Sequence, residues 1–317
     1  MTAILRGRRS AAPSWDPAAT HREVLADGTA LHVAEEGSSS PGAPCLVLLH
    51  GWTQDHTCWD RVVANLRERS GGQLRILRYD HRGHGGSAPA LQGSATIGVL
   101  ADDLAELLAS RLPTGQMVLA GHSMGGATVM ALAERHPHLV GRIAGIAYVS
   151  TTSGGLSGLT LGLPRQVAQL VYRGEPALSK RVSKSDREIM LRHSAVLAPL
   201  VRRTAFGRKP RRVDVADTAA QIGRCHPASA VGLLDSLLAH DRVEVLDGLR
   251  HVPSVVLVGS RDRLTPLRHA RMIASRLPDA EFVIYPEAGH MLPVERADEV
   301  SSRIAALLGA AVPPGAS

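Results

Sequence analysis

The chain has 317 residues, of which 44% are hydrophobic and 3% aromatic, and its formal net charge is +7. This composition supplies enough apolar side chains for a large core and argues against disorder of the whole chain, while the scarcity of aromatic residues argues against a nucleic-acid-binding protein built on stacking. The three cysteines, Cys45, Cys58 and Cys225, have no CxxC spacing and indicate neither a zinc site nor a disulfide framework.

The N-terminal stretch MTAILRGRRSAAPSW contains arginines without the apolar run that follows them in a signal peptide, and no apolar run in the chain reaches the length of a membrane span. We therefore expect a cytoplasmic protein with a flexible segment over residues 1–20. The positive charge is local, because residues 151–235 carry 14 Lys and Arg against 6 Asp and Glu.

After this segment, HREVLADGTALHVAEEG predicts two strands joined by a turn at Asp27 and Gly28. Apolar, strand-like runs (CLVLLHG, LRILRYD, MVLAG and IAGIAYVS) then alternate with segments of helical periodicity such as TIGVLADDLAELLASRL. This alternation predicts βαβ units, and hence an α/β fold with a mostly parallel central sheet and helices on both faces.

The alternation stops between residues 152 and 240, where basic helical segments predominate, and resumes with VPSVVLVG, AEFVIYP and a final helical segment, ERADEVSSRIAALLG. The order of elements therefore predicts a core formed by residues 21–151 and 241–312. A helical insertion over residues 152–240 is expected to lie over the core as a cap.

The pattern Gly-x-Ser-x-Gly follows the run MVLAG directly and opens a helical segment at Gly121, Ser123 and Gly125. Such a strand-to-helix turn forces strained dihedral angles on the serine and needs glycines beside it, because side chains there would collide. The pattern predicts an exposed nucleophile, Ser123. The alternative is an ordinary serine whose side chain caps the helix.

A serine hydroxyl becomes a good nucleophile only beside a base, and the base is commonly oriented by a carboxylate. Asp262 follows the strand-like run VPSVVLVG, and His290 follows the next one, AEFVIYP. Because the carboxyl ends of parallel strands meet at one edge of a sheet, we expect Ser123, Asp262 and His290 to lie together there. Glu287 and Glu295 flank His290 and are alternative orienting acids.

These motifs and their order resemble the α/β-hydrolase fold superfamily over roughly residues 22–310. The resemblance rests on LLHGWTQDHTCW, YDHRGHGGSAP, GHSMGG, GSRDRLTP and AGHMLPVE, each placed after the strand where the family carries it. It implies a catalytic triad of Ser123, Asp262 and His290, and a mechanism that uses neither a cofactor nor a metal.

The resemblance also implies that the backbone amides of Trp52 and Met124 form an oxyanion hole, in which each donor stabilises the developing charge by roughly 2.7 to 4 kcal/mol. The Trp52 ring can fill the core at the same time. We interpret His50 as a hydrogen bonder that organises its loop. A structural role is likewise assigned to the turn YDHRGHGGS, with its polar residues Asp80, His81, Arg82 and His84.

The leading hypothesis is a serine hydrolase that cleaves a carboxylic ester, as an esterase, a monoacylglycerol-type lipase or a thioesterase. Ser123 argues against epoxide hydrolases and dehalogenases, which resemble this chain but use a carboxylate nucleophile. Carbon–carbon bond hydrolases and cofactor-free haloperoxidases or perhydrolases are alternatives. A binding protein or receptor on a hydrolase fold is another, which the loss of a triad residue would favour, and none is missing.

The insertion is expected to cover Ser123 and to set specificity. Its basic run VRRTAFGRKPRRV, residues 201–213, is consistent with attraction of anionic substrates such as acyl-CoA or weak association with a membrane surface, and also with a solvated face. We expect a small-molecule or lipid-like ester as substrate and no nucleic-acid partner. The sequence determines neither the pocket residues nor the oligomeric state.

Overall fold

Apolar runs of the chain form the strands of one sheet. The computed structural model describes residues 19–38, 45–70, 74–156 and 187–311. In these ranges the strands are β1 (Ala19–Val24), β2 (Ala30–Gly37), β3 (Cys45–Leu49), β4 (Arg75–Tyr79), β5 (Met117–His122), β6 (Ile143–Val149), β7 (Ser254–Gly259) and β8 (Glu281–Tyr285). Their order is β1-β2-β4-β3-β5-β6-β7-β8, in which β1 and β2 are antiparallel and β3 to β8 are parallel.

The helices of the described residues alternate with these strands, as the sequence predicted. They are α1 (Asp60–Ser70), α2 (Ile97–Arg111), α3 (Met124–Arg135), α4 (Arg187–Ala205), α5 (Arg212–Arg224), α6 (Pro227–Leu238), α7 (Leu267–Arg276), α8 (Leu292–Glu295) and α9 (Ala297–Ala311). Short 3-10 turns cover His56–Trp59, Pro137–Arg142 and Glu244–Leu249. None of these helices combines the length and apolar composition that a membrane span needs.

Both faces of the sheet are covered, which explains why its strands are continuous apolar runs. In β3, Val47 and Leu49 pack into a cluster with α2, α3 and α7, whereas Leu46 and Leu48 pack into a second cluster with α1 and α9. The prediction of an α/β fold with helices on both faces is therefore confirmed. The predicted hairpin is also present, with Gly28 at φ 85° in its turn.

Helices α4, α5 and α6 lie between β6 and β7 in the chain and belong to the predicted insertion. Val201 and Phe206 from this insertion pack with Met291 of the core in a third apolar cluster. Part of the insertion, residues 157–186, lies outside the described residues. The predicted N-terminal segment does so as well, apart from its last two residues, which begin β1.

A buried ion pair links the turn after β4 to helix α2. Arg82 is almost fully buried, and it donates from Nε to Asp103 Oδ2 at 2.7 Å and from Nη2 to Asp27 Oδ2 at 2.9 Å. The neighbouring Asp102 pairs with Arg135 on the protein surface at 2.7 Å. The Asp103 side chain is 4% exposed and the Asp102 side chain 38% exposed, so that adjacent residues of one helix form a buried and an exposed ion pair.

Replacement of Asp103 by Asn should lower the free energy of unfolding by about 3 kcal/mol, because it leaves the buried guanidinium without its main counter-ion. Asp102→Asn is the matched control and should cost less than about 1 kcal/mol, since exposed pairs are screened by water. Urea unfolding of the two variants measures the difference. Equal losses would show that burial of the Arg82 pair has no energetic consequence.

Three buried histidines surround the turn after β4. The Nε2 atom of His50 accepts a hydrogen bond from the His81 amide at 2.9 Å, and His84 Nε2 accepts one from the Thr53 amide at 3.1 Å. Both rings are therefore neutral. Burial lowers the pKa of His81 to about 3 and that of His84 to about 4, and it holds the pKa of His50 well below its usual range.

Acidification should therefore destabilise the fold. A histidine of the unfolded chain binds a proton below a pH of about 6.5, so each buried neutral histidine lowers the free energy of unfolding by about 1.4 kcal/mol per pH unit from there towards its folded-state pKa. Urea unfolding at pH 7, 6 and 5 should show a continuous loss of stability. His81→Phe should reduce this slope and the exposed His138→Gln should not; stability that is constant over this range would contradict the expectation.

Candidate active site

Ser123 occupies the single residue between β5 and α3, with φ 52° and ψ −115°. Its amide donates to the carbonyl of Val149 at 2.9 Å, and its carbonyl accepts from Thr151 Oγ1 at 2.6 Å. These contacts with the end of β6 hold a backbone conformation that is strained for a serine. The Ser123 side chain makes no capping hydrogen bond, so the alternative interpretation as an ordinary helix cap is wrong.

Two glycines allow α3 to lie directly against the sheet at this turn. A Cβ atom on Gly121 would lie 2.5 Å from the Gly126 nitrogen, and one on Gly125 would lie 2.4 Å from the Leu49 oxygen. Both neighbours are backbone atoms, which cannot move without displacing α3 or β3. The spacing Gly-x-Ser-x-Gly is therefore a steric requirement of the turn.

Asp262 and His290 lie after β7 and β8, at the same edge of the sheet as Ser123. His290 Nδ1 is 2.9 Å from Asp262 Oδ2, and both residues are buried. The second carboxylate oxygen of Asp262 accepts from the amides of Leu264 at 2.9 Å and Thr265 at 2.8 Å. Since Nδ1 faces the carboxylate, the nitrogen of His290 that remains for other chemistry is Nε2.

Thr265 contacts both members of this pair, and its role was not predicted from the sequence. Its hydroxyl lies 2.8 Å from Asp262 Oδ2, 2.9 Å from the Ser150 carbonyl and 3.2 Å from His290 Nδ1. The hydroxyl therefore contacts Oδ2 of Asp262, whereas the backbone amides contact Oδ1. The available signal was the spacing Asp-x-x-Thr, which is typical of a turn in which the aspartate accepts from the following backbone.

The backbone of His290 is held by His122, the residue before Ser123. His122 Nε2 lies 2.9 Å from the His290 carbonyl oxygen, and Nδ1 lies 2.9 Å from Gln54 Oε1. Burial lowers the pKa of His122 to about 3, which favours the neutral ring, and a neutral imidazole has one N–H with which to donate to one of these two oxygens. No role could be assigned to His122 from the sequence, because its partners come from distant loops.

Ser123 and His290 line one cavity, with a volume of about 270 Å³. Among the described residues its wall contains no Asp, Glu, Lys or Arg and is formed largely by apolar side chains, including Leu156, Leu197, Val201, Ile222, Leu234 and Leu264. Both residues belong to the described ranges, and no hydrogen bond joins the Ser123 hydroxyl to the His290 ring. Such bonds are often long without substrate and tighten when it binds.

Trp52 and Met124 also line this cavity. Within the described residues, neither backbone amide donates a hydrogen bond to the protein. The Trp52 indole donates to the Ala230 carbonyl of α6 at 2.8 Å, so its ring joins the core to the insertion while its main chain stays beside Ser123. The two amides are therefore free to donate to a ligand oxygen.

The remaining predicted residues have structural positions. The interpretations of His50 and of the turn after β4 are confirmed, because Asp80 accepts from the amides of His56 and Gly86, each at 2.7 Å. The two alternative orienting acids are wrong. Glu287 pairs with Arg261 at 3.0 Å, and Glu295 accepts from backbone amides; neither carboxylate contacts the His290 ring.

A separate group of possible metal ligands lies behind the site, where His32, His56 and Asp80 have ligand atoms within 4.8 Å of one another. His56 Nδ1 is 2.7 Å from Asp80 Oδ1, and this carboxylate also accepts two backbone amides. A metal would therefore have to break an existing hydrogen bond. The arrangement fits a structural pair better than a metal centre.

Comparisons with known proteins agree with this architecture. The family model of the alpha/beta hydrolase fold matches residues 44–297. A pimeloyl-[acyl-carrier protein] methyl ester esterase from Aromatoleum aromaticum is 31% identical over 78% of this chain and 91% of its own length. The dihydrolipoyllysine-residue acetyltransferase component of an acetoin cleaving system from Pseudomonas putida is 29% identical over 84% of this chain, which spans 64% of that relative's length.

Among solved structures, a thermophilic esterase from Thermogutta terrifontis superposes with a TM-score of 0.71 at 24% identity, covering 92% of this chain and 99% of the esterase. That likeness shows the fold. Together with the match of the family model over most of the core, it completes the assignment: the chain belongs to the α/β-hydrolase fold family.

Proposed function

We propose that this protein is a serine esterase that cleaves a carboxylic ester through an acyl-enzyme on Ser123. The observation that carries the proposal is that His290, whose Nδ1 lies 2.9 Å from Asp262 Oδ2, lines the same cavity as Ser123. The identity with a methyl ester esterase over most of the chain supports the same class of bond.

In the acylation step, Ser123 Oγ attacks the ester carbonyl carbon while His290 Nε2 accepts the hydroxyl proton. Asp262 keeps the ring in the orientation that exposes Nε2 and stabilises the imidazolium. The tetrahedral intermediate then collapses, the C–O bond to the alcohol breaks, and the leaving oxygen takes the proton from Nε2. A water molecule repeats the sequence at the acyl-enzyme, which releases the acid and restores the Ser123 hydroxyl.

The amides of Trp52 and Met124 are the donors proposed to bind the oxyanion. Met124 is the first residue of α3, where the helix dipole is positive, so its amide favours the negative charge that develops on the carbonyl oxygen. Both donors are held in place before substrate arrives. The glycines that seat α3 on the sheet therefore fix the Met124 donor together with the nucleophile.

The cavity wall selects the acyl group. Its apolar residues favour an uncharged hydrocarbon chain, and its volume of about 270 Å³ lies near the lower end of ligand pockets, which span roughly 300 to 1,000 Å³. The proposed substrates are therefore esters of short or medium acids without a charge near the carbonyl. A charged carrier such as coenzyme A would have to remain outside this wall.

Replacement of Ser123 by Ala should lower kcat for a p-nitrophenyl ester by about a million-fold, because the nucleophile is lost, while the melting temperature changes little. Ser153→Ala is the matched control: that serine is buried, has no hydrogen-bond partner for its hydroxyl among the described residues and does not line the cavity. It should keep its activity. Covalent labelling of the Ser123 variant by a fluorophosphonate would show that another residue is the nucleophile.

The basic run contains six exposed cations, none of which lines the cavity: Arg202, Arg203, Arg208, Lys209, Arg211 and Arg212. Because exposed charges are screened within about 8 Å at physiological ionic strength, replacing all six by Gln should change kcat/KM for a short neutral ester by less than about twofold. For an acyl-CoA thioester, kcat/KM should fall at low salt and the difference should vanish at high salt. Equal salt dependence of the two substrates would show that the run does not attract anionic ligands.

A further inference from the structure

The turn that follows α4, Ala205–Arg208, lies directly on the loop that carries His290, and we name these segments the cap turn and the histidine loop (Glu287–Met291). The carbonyl of Ala205 accepts from the amides of His290 at 2.8 Å and Met291 at 3.2 Å. The amide of Arg208 donates to the Glu287 carbonyl at 2.9 Å. The insertion is therefore hydrogen-bonded to the backbone of the proposed general base itself.

Glu295, at the end of α8, joins the same two segments through its side chain. Oε2 accepts from the Gly207 amide and Oε1 from the Gly289 amide, each at 2.9 Å. A Cβ atom on Gly207 would lie 2.0 Å from the Glu287 oxygen, so the segments pack backbone to backbone with no room for a side chain. One carboxylate thus bridges the cap turn and the histidine loop.

The cap turn also belongs to the wall that receives the substrate. Ala205, the first residue of the cap turn, lines the cavity together with Ser123 and His290, as do Val201 and Thr204 in α4. An acyl chain in the cavity would therefore press on the residue whose carbonyl holds the His290 amide. Misplacement of a catalytic group by about 1 Å can cost a factor of about 100 in rate, so small movements of this turn are sufficient to affect catalysis.

We propose that Glu295 is a positioning residue that, by bridging the cap turn and the histidine loop, couples acyl binding in the cavity to the placement of His290 beside Ser123. This inference rests on the proposed esterase function. It adds that the insertion does more than cover the site, since its cap turn sets the geometry of the base.

The test compares Glu295→Gln with Glu281→Gln. Gln keeps the size of Glu295 but places an NH2 group against one of the two backbone amides, so one bridge is lost. We expect kcat to fall by about 10- to 100-fold, with KM changed by less than about threefold. The exposed Glu281 carboxylate, at the start of β8 and outside both segments, pairs with Arg303 at 2.5 Å, and its replacement should leave kcat within about twofold of the wild type, as exposed ion pairs contribute little.

Active-site titration with a fluorophosphonate separates positioning from folding. A merely structural role would reduce the fraction of sites that can be titrated but leave kcat per titrated site unchanged, and that result would overturn the inference. The inference would also be overturned if both the titratable fraction and the kcat per titrated site of Glu295→Gln equalled those of the wild type. Failure of the proposed function is distinct, because the wild type would then neither turn over esters nor be labelled at Ser123.

A measurement on the wild type keeps the inference testable if the variant does not fold. Ser123 is phosphonylated with a methyl or an octyl phosphonate, and amide hydrogen exchange of peptides covering residues 203–210 and 286–296 is followed by mass spectrometry. Because Ser123 and Ala205 line the same cavity, we expect the octyl chain to contact the cap turn and to slow exchange in both peptides relative to the methyl group. Identical exchange with the two groups would contradict the coupling.

Discussion

The close approach of α3 to the sheet is the constraint on which the site depends. Gly125 lets the first turn of α3 lie against the backbone of β3, and Gly121 lets the end of β5 lie against the backbone of that turn. Ser123 joins β5 to α3 with a positive φ. A strained non-glycine conformation costs of order 1–3 kcal/mol. The Ser123 backbone donates to the Val149 carbonyl and accepts from the Thr151 hydroxyl, and these bonds, with the burial of α3 between strands and α2, offset this cost.

A second layer of contacts places His290 relative to that fixed turn. Its ring is held by Asp262, its carbonyl lies against His122, and its amide is held by Ala205. Asp262 follows β7, His122 ends β5, and Ala205 belongs to the insertion. Because each partner holds a different group of His290, this residue has little freedom to rotate or to move along the sheet edge. Its position therefore depends on all three partners.

Much of the sheet and the meeting of the three triad residues could be predicted, because buried strands are visible as short apolar runs and the order of these runs is read directly from the sequence. Runs such as CLVLL and SVVLVG indicate strands covered on both faces, and parallel strands bring their carboxyl ends together, so Ser123, Asp262 and His290 could be expected at one edge. The contacts of Glu295 could not be predicted, since its partners are backbone amides whose positions depend on how the insertion packs. A backbone amide can belong to almost any residue type. A hydrogen bond to an amide that is distant in the chain is therefore not indicated by the sequence.

The uncharged cavity wall has a consequence for what happens after the reaction. Ester hydrolysis under the proposed mechanism converts a neutral group into a carboxylate, and among the described residues the wall offers no cation to pair with it. An unpaired carboxylate in apolar surroundings is strongly disfavoured relative to water. Under the proposed mechanism, the acid product would therefore leave as it ionises, which would limit product inhibition and oppose the reverse reaction without any moving part.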